Sequence, residues 1–175
     1  PLKILVSKMA ICNFSCEGLQ NNLGAKKVWD RIFREVEGAL EHIHSCWFIH
    51  NDLKSNNAVS EQREGQPSPV IIEFRNSVLA EKAKVPMAKA KHIRSHSSYI
   101  TPELRNGTAK PSVSSDIYSL AFMIKSLYKI LDFKLNGTVK NALKELSDTR
   151  PSLCELSGSL KLKCFPVSCW LLIMW

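Results

Sequence analysis

Residues 50–57 read His50-Asn51-Asp52-Leu53-Lys54-Ser55-Asn56-Asn57. Asp52, Lys54 and Asn57 bring a carboxylate, an ammonium and a carboxamide into one short stretch. Such a set suits a site that handles phosphate and a hard cation. A carboxylate can accept a hydroxyl proton. An ammonium can neutralise charge developing on a transferred phosphoryl group. A carboxamide oxygen is a hard ligand suited to Mg²⁺. Taken alone, the same residues could form a polar surface turn, so the reading depends on what else the chain supplies.

The elements that must position this stretch follow from hydrophobic spacing. Val28, Ile32, Val36, Ala39, Leu40 and Ile43 recur at intervals of three and four, with Arg31, Arg34, Glu35 and Glu41 between them. This predicts an amphipathic helix of about four turns ending just before the stretch. Ile4 to Val6 could be a strand, and Asn21-Asn22-Leu23-Gly24 reads as a turn. Glu61 to Pro69 reads as a polar loop broken by Gly65, Pro67 and Pro69, before a short buried strand at Val70-Ile71-Ile72. Residues 75–100 have no sustained period and read as one long loop. Ser114, Ser115 and Asp116 are N-cap candidates for a helix over Ile117 to Leu131 that is apolar on most sides and belongs in a core. A more polar helix is expected from Thr138 to Leu146, and no clear period survives beyond Pro151.

Four further groups stand in a telling order. Glu73-Phe74-Arg75 begins sixteen residues after Asn57, Thr101-Pro102-Glu103 closes the irregular segment with Tyr99 just before it, Asp116 opens the apolar helix, and Arg150 sits in Thr-Arg-Pro. Residues 50–57 resemble the protein-kinase catalytic loop H-R-D-L-x-x-x-N, with Asn51 in the place of the Arg. Glu73-Phe74-Arg75 stands where that family has D-F-G, and Thr101-Pro102-Glu103 where it has A-P-E. Residues 28–152 thus resemble the large C-terminal lobe of a eukaryotic-type protein kinase, with 1–27 as a remnant or connector and 153–175 as a divergent tail. The resemblance implies a mostly α-helical fold with a few short β-strands.

It also implies phosphoryl transfer from Mg-ATP to protein Ser/Thr hydroxyls. Asp52 would be the catalytic base, Lys54 would contact the γ-phosphate, and Asn57 and Glu73 would hold Mg²⁺. His50 would be structural, Asp116 would brace the catalytic loop, and Glu103 and Arg150 would form a buried ion pair. ATP and a protein substrate or partner protein are the implied ligands.

Departures from the family pattern predict weak or absent activity. No G-x-G-x-x-G and no V-A-I-K lysine precede the catalytic loop, so the chain is expected to be incomplete. Glu73 is one methylene longer than Asp, and Arg75 puts a cation where a glycine is usual. Asn51 removes the Arg that would read a phosphorylated activation loop. His96 falls where serine/threonine kinases carry a Thr that contacts the catalytic Asp. The alternative is a pseudokinase acting as a scaffold or interaction module.

Composition bounds these readings. The 175 residues are 45% hydrophobic and 23% charged, which fits a globular chain and excludes a disordered one. Of the formal charge of +8, half falls in residues 81–94, the run Glu81-Lys82-Ala83-Lys84 to Arg94. A basic run can mark nucleic-acid contact. No aromatic interleaves it, so a nucleic-acid-binding protein is the remotest reading. The six cysteines show no C-x-x-C spacing, so buried free thiols are expected rather than a zinc site. The apolar end from Cys169 is too short to span a bilayer, no membrane contact is expected, and the N-x-[ST] sequons at Asn13, Asn106 and Asn136 read as chance. The cytoplasm, or the nucleus, is the expected location.

Overall fold

The computed structural model describes residues 3–4, 23–63, 66–86 and 97–160. Within these, helices dominate and the strands are short, as expected. In chain order they are β1 (Lys3–Ile4), α1 (Leu23–Ser45), β2 (Phe48–Ile49), β3 (Ala58–Arg63), β4 (Gln66–Ile71), β5 (Val78–Leu79), α2 (Pro102–Arg105), α3 (Val113–Ile130), α4 (Gly137–Ala142) and α5 (Leu153–Ser159).

Helix α1 buries Trp29, Ile32, Phe33, Val36, Leu40 and Ile43. Ile32, Val36, Leu40 and Ile43 face the core as expected, and the stripe extends to Trp29 and Phe33, while Val28 and Ala39 lie at its margin. The larger rings remove more apolar area from water, and that decides which stripe goes inward. Leu23 and Gly24, expected in a turn, are already helical.

Helix α3 is the core element. Ile117, Leu120, Ala121, Ile124, Leu127 and Tyr128 pack into one cluster with the α1 stripe, Val139 and Ala142 of α4, and Leu156 and Leu160 at α5. Its N-cap is Ser112 rather than Ser114, Ser115 or Asp116. The Ser112 hydroxyl accepts from the Ser115 N–H while the Ser115 hydroxyl accepts from the Ser112 N–H, a reciprocal capping box. This starts the helix at Val113 and leaves Asp116 inside the first turn with its carboxylate free for tertiary contacts.

Two expectations about irregular segments are corrected. Glu61 to Pro69 is a hairpin: β3 and β4 pair antiparallel from Ala58↔Ile71 to Arg63↔Gln66, and β1 adds on the other side. The sheet order is β1-β3-β4, so Pro67 and Pro69 lie on an edge strand, where a missing N–H costs no ladder bond. Within 75–100, Val78–Leu79 pairs antiparallel with Phe48–Ile49, with short 3-10 turns at Phe74–Asn76 and Ala80–Lys82. Beyond Pro151, α5 forms although periodicity is lost. Ser152 caps it in a second capping box with Glu155, and only Leu156 and Leu160 need face inward. The polar helix is shorter than expected, Gly137–Ala142 with Asn136 as N-cap. Among the described cysteines, Cys46 and Cys154 are free as expected but exposed rather than buried. Leu5 and Val6, the basic residues Lys89 and Lys91, and His96 lie outside the described residues. Among the described residues, no helix is long and apolar enough to cross a membrane.

Candidate active site

Helix α1 ends at Ser45, a turn reverses the chain at Trp47, and β2 delivers His50 to the wall of α3. The brace there is Asp116. Its Oδ2 accepts from the His50 N–H at 2.8 Å and from His44 Nε2 at 2.9 Å, and its Oδ1 accepts from the Asn51 N–H at 2.9 Å. Asp116 is 1% exposed, so these charge-assisted bonds replace its lost hydration. Burying this carboxylate fixes the path of residues 50–51 against the core helix.

Asn51 takes a left-handed conformation, φ 62°, which Asn tolerates better than most residues. Its side-chain amide donates to the Asn76 carbonyl at 3.0 Å. His50 is wholly buried; its Nδ1 accepts from the Asp52 N–H at 3.3 Å and its Nε2 meets the Ile72 carbonyl at 3.2 Å. That pattern suits a neutral ring with the proton on Nε2. Burial lowers the tendency of His50 to ionise, against a smaller opposing pull from Asp116. Its ring meets Phe74 edge-on at 5.1 Å, joining the two expected motifs.

Asp52, Lys54 and Asn57 come together. Lys54 Nζ donates to both carboxylate oxygens of Asp52 at 2.9 Å. Asn57 Nδ2 donates to the Asp52 carbonyl at 2.8 Å and to its Oδ2 at 3.1 Å, so the short 3-10 turn Ser55–Asn57 folds back onto Asp52. Two residues without a role in the sequence reading complete the shell. Asn76 Nδ2 donates to Asp52 Oδ2 at 3.2 Å, and the Tyr99 hydroxyl donates to Oδ1 at 3.1 Å. Burial raises the Asp52 carboxyl, but Lys54, Tyr99 and Asn76 outweigh it and hold the group below the usual carboxylate range. Burial likewise works against the Lys54 ammonium, and the bonds to Asp52 more than offset it, raising its pKa. At neutral pH both groups are charged.

Glu73 is not gathered into this shell. Its backbone is left-handed, φ 66° and ψ 62°, and its carboxylate accepts from Arg75 at 3.0 Å with the Arg75 side chain 84% exposed. The Ile72 N–H donates to the Asn57 carbonyl at 2.9 Å, which keeps residue 73 next to the loop. Mg²⁺ takes few protein ligands and completes its shell with water and phosphate oxygens. Asn57 Oδ1, which makes no hydrogen bond among the described residues, and one Glu73 carboxylate fit that demand. Among the described residues no group of three or more His, Cys, Asp or Glu is placed to cage a metal, so phosphate oxygens would have to complete the shell. Arg75 competes for Glu73 as a surface ion pair of roughly 0–1 kcal/mol.

Glu103 and Arg150 meet as expected. Arg150 grips the carboxylate with both terminal nitrogens, at 2.7 and 2.9 Å, and donates to the carbonyls of Lys144, Glu145 and Ser114. The Thr101 hydroxyl caps α2, and the Ser119 hydroxyl of α3 donates to the Tyr99 carbonyl, so this segment is anchored at both helices.

A sequence profile of the protein kinase domain matches residues 11–159. The chain belongs to the protein kinase family. Among curated proteins it is 30% identical over 119 residues to the membrane-associated tyrosine- and threonine-specific cdc2-inhibitory kinase wee-1.3 of Caenorhabditis briggsae, covering 68% of this chain and 17% of that one. It is 31% identical over 111 residues to the protein of that name in Caenorhabditis elegans, covering 63% and 15%. It is 26% identical over 125 residues to the serine/threonine-protein kinase pkn3 of Myxococcus xanthus, covering 69% and 23%. The chain spans less than a quarter of the length of these relatives. In this kinase-family chain, His44, Asn76 and Tyr99 carried no sequence signal, because their partners lie 72, 24 and 47 residues away.

Proposed function

We propose that this chain is the acceptor-side half of a kinase active site, carrying out slow phosphoryl transfer from Mg-ATP to a protein Ser/Thr hydroxyl. The observation that carries this reading is the Asp116-braced loop, which presents an ionised Asp52 with Lys54 bound to both of its oxygens. Asp52 orients the acceptor hydroxyl and takes its proton. Lys54 offsets charge on the moving phosphoryl group. Asn57 and Glu73 would hold Mg²⁺, which when bound would supply charge neutralisation on the ATP phosphates. The extra methylene of Glu73 and the cation of Arg75 set the rate low: a misplacement of about 1 Å costs roughly 100-fold. The cytoplasm or nucleus is the location proposed with it.

A pseudokinase scaffold is the second reading, favoured by the Glu73–Arg75 pair, which engages the metal-facing carboxylate. Radiolabel transfer to a mixed peptide library separates the two. The expected result is slow, Mg²⁺-dependent transfer lost in a folded Asp52→Asn variant. No transfer above that variant's background moves the chain to the scaffold reading.

A further inference from the structure

The tripeptide Asn-Gly-Thr occurs twice, at Asn106-Gly107-Thr108 and at Asn136-Gly137-Thr138. An asparagine followed by glycine can lose its side-chain amide without an enzyme. The glycine N–H gives its proton to water or hydroxide, and the nitrogen attacks the asparagine Cγ. The N–Cγ bond forms, the Cγ–Nδ2 bond breaks, and Nδ2 takes up a proton and leaves as ammonia. Water then opens the cyclic imide to aspartate, or to isoaspartate, whose main chain is longer by a methylene. Glycine favours the attack because it has no Cβ to crowd the ring and its backbone turns freely. The two sites share this local sequence, so only their folded settings separate them.

Asn136 is locked. Its Oδ1 accepts from the Val139 N–H at 2.9 Å, and its Nδ2 donates to the Ser159 carbonyl at 3.0 Å and to the Ser159 hydroxyl at 3.2 Å. Its Cγ can swing onto Gly137 N only by uncapping α4 and breaking the tie to α5. The Asn106 side chain is exposed and makes no hydrogen bond among the described residues. Gly107 takes φ 66°, and its N–H meets the Leu104 carbonyl at a long 3.2 Å. The helix that ends here, α2, has 4 residues, so opening the turn unravels no long helix. The turn nevertheless braces Glu103. The Thr108 N–H, the Ala109 N–H and the Thr108 hydroxyl all donate to the Glu103 carbonyl, at 2.9, 3.4 and 3.2 Å.

We propose that Asn106–Gly107 is a site of spontaneous deamidation, while the fold protects Asn136–Gly137. The modified turn carries a new carboxylate and, in the isoaspartyl form, a longer main chain beside Glu103.

The purified chain is incubated at neutral pH and digested, and mass spectrometry follows the two Asn-Gly-Thr peptides. Isoaspartyl methyltransferase marks the isoaspartyl product. Asn136 must break three side-chain hydrogen bonds and Asn106 one backbone bond. The difference of two ordinary hydrogen bonds should make Asn106 convert about 30-fold faster. In concentrated urea the two rates should converge, because the local sequence is the same. Comparable rates in the folded chain overturn the proposal, and so does a ratio that survives in urea. Conversion of Asn106 without the methyltransferase mark in any of its product overturns the imide route.

Discussion

Arg150→Ala breaks an ion pair whose arginine is fully buried and whose carboxylate is largely covered. The Arg150 side chain is 0% exposed and its Glu103 partner 15%. The substitution deletes a bidentate contact at 2.7 and 2.9 Å, removes the donor that Arg150 offers to three backbone carbonyls, and strips a cation from 5.0 Å above the Tyr118 ring. Breaking one side of a buried pair costs about 3–5 kcal/mol, because the surviving charge stays buried. Against a total stability of roughly 5–15 kcal/mol, that is a large share. With a urea slope of about 2 kcal/mol/M, the midpoint should fall by about 2 M. The comparison is Arg63→Ala: its pair with Glu61 has side chains 49% and 46% exposed, and such pairs contribute about 0–1 kcal/mol. Removing both buried charges together, Glu103→Gln with Arg150→Met, should cost less than the two single changes summed. The sign with pH is also set. Burial raises the Glu103 carboxyl, but Arg150 outweighs it and holds the group below its ordinary 4.5, so the pair's contribution is present above that pH and is lost as pH falls through the folded value. An Arg150→Ala midpoint shift no larger than that of Arg63→Ala would refute the reasoning. Since Glu103 anchors the residues that follow Tyr99, the same variant should also expose Tyr99.

Two further outcomes are expected. Glu37 on α1 is 3% exposed, its carboxyl oxygens meet no partner at hydrogen-bond geometry, and burial pushes the group up to about 8, with the facing Ser157 and Arg34 only moderating it. The folded chain then holds a proton that the unfolded chain releases near 4.5, so stability should fall as pH rises from about 4.5 to 8; thermal melts of Glu37→Gln should show that slope flattened, and an unchanged slope would count against it. Arg75→Gly should free the Glu73 carboxylate and tighten Mn²⁺ binding several-fold, roughly the value of one surface ion pair, as read by electron paramagnetic resonance; equal affinity would show that Arg75 does not compete.

What the sequence determined by itself is the kinase family resemblance, the α1 and α3 helices, and the meeting of Asp52 with Lys54 and Asn57 and of Glu103 with Arg150. Asp52, Lys54 and Asn57 lie within one loop, so local spacing nearly dictates their meeting, and Glu103 with Arg150 follows from the ordered motifs. Local chemistry also explains where structure and expectation differ: prolines in β4 resemble loop residues although the edge position of that strand accommodates them, and α5 needs only two inward residues, too few to show a period. Tertiary structure alone decided the rest. It turned the α1 stripe toward Trp29 and Phe33, placed His44 on Asp116, and brought Asn76 and Tyr99 onto Asp52. These last contacts join residues far apart in sequence through side chains with no period to betray them. Their geometry is set by the packing of residues 50–57 and the Tyr99 segment against α3, because a carboxylate that loses part of its hydration must find donors wherever the fold supplies them.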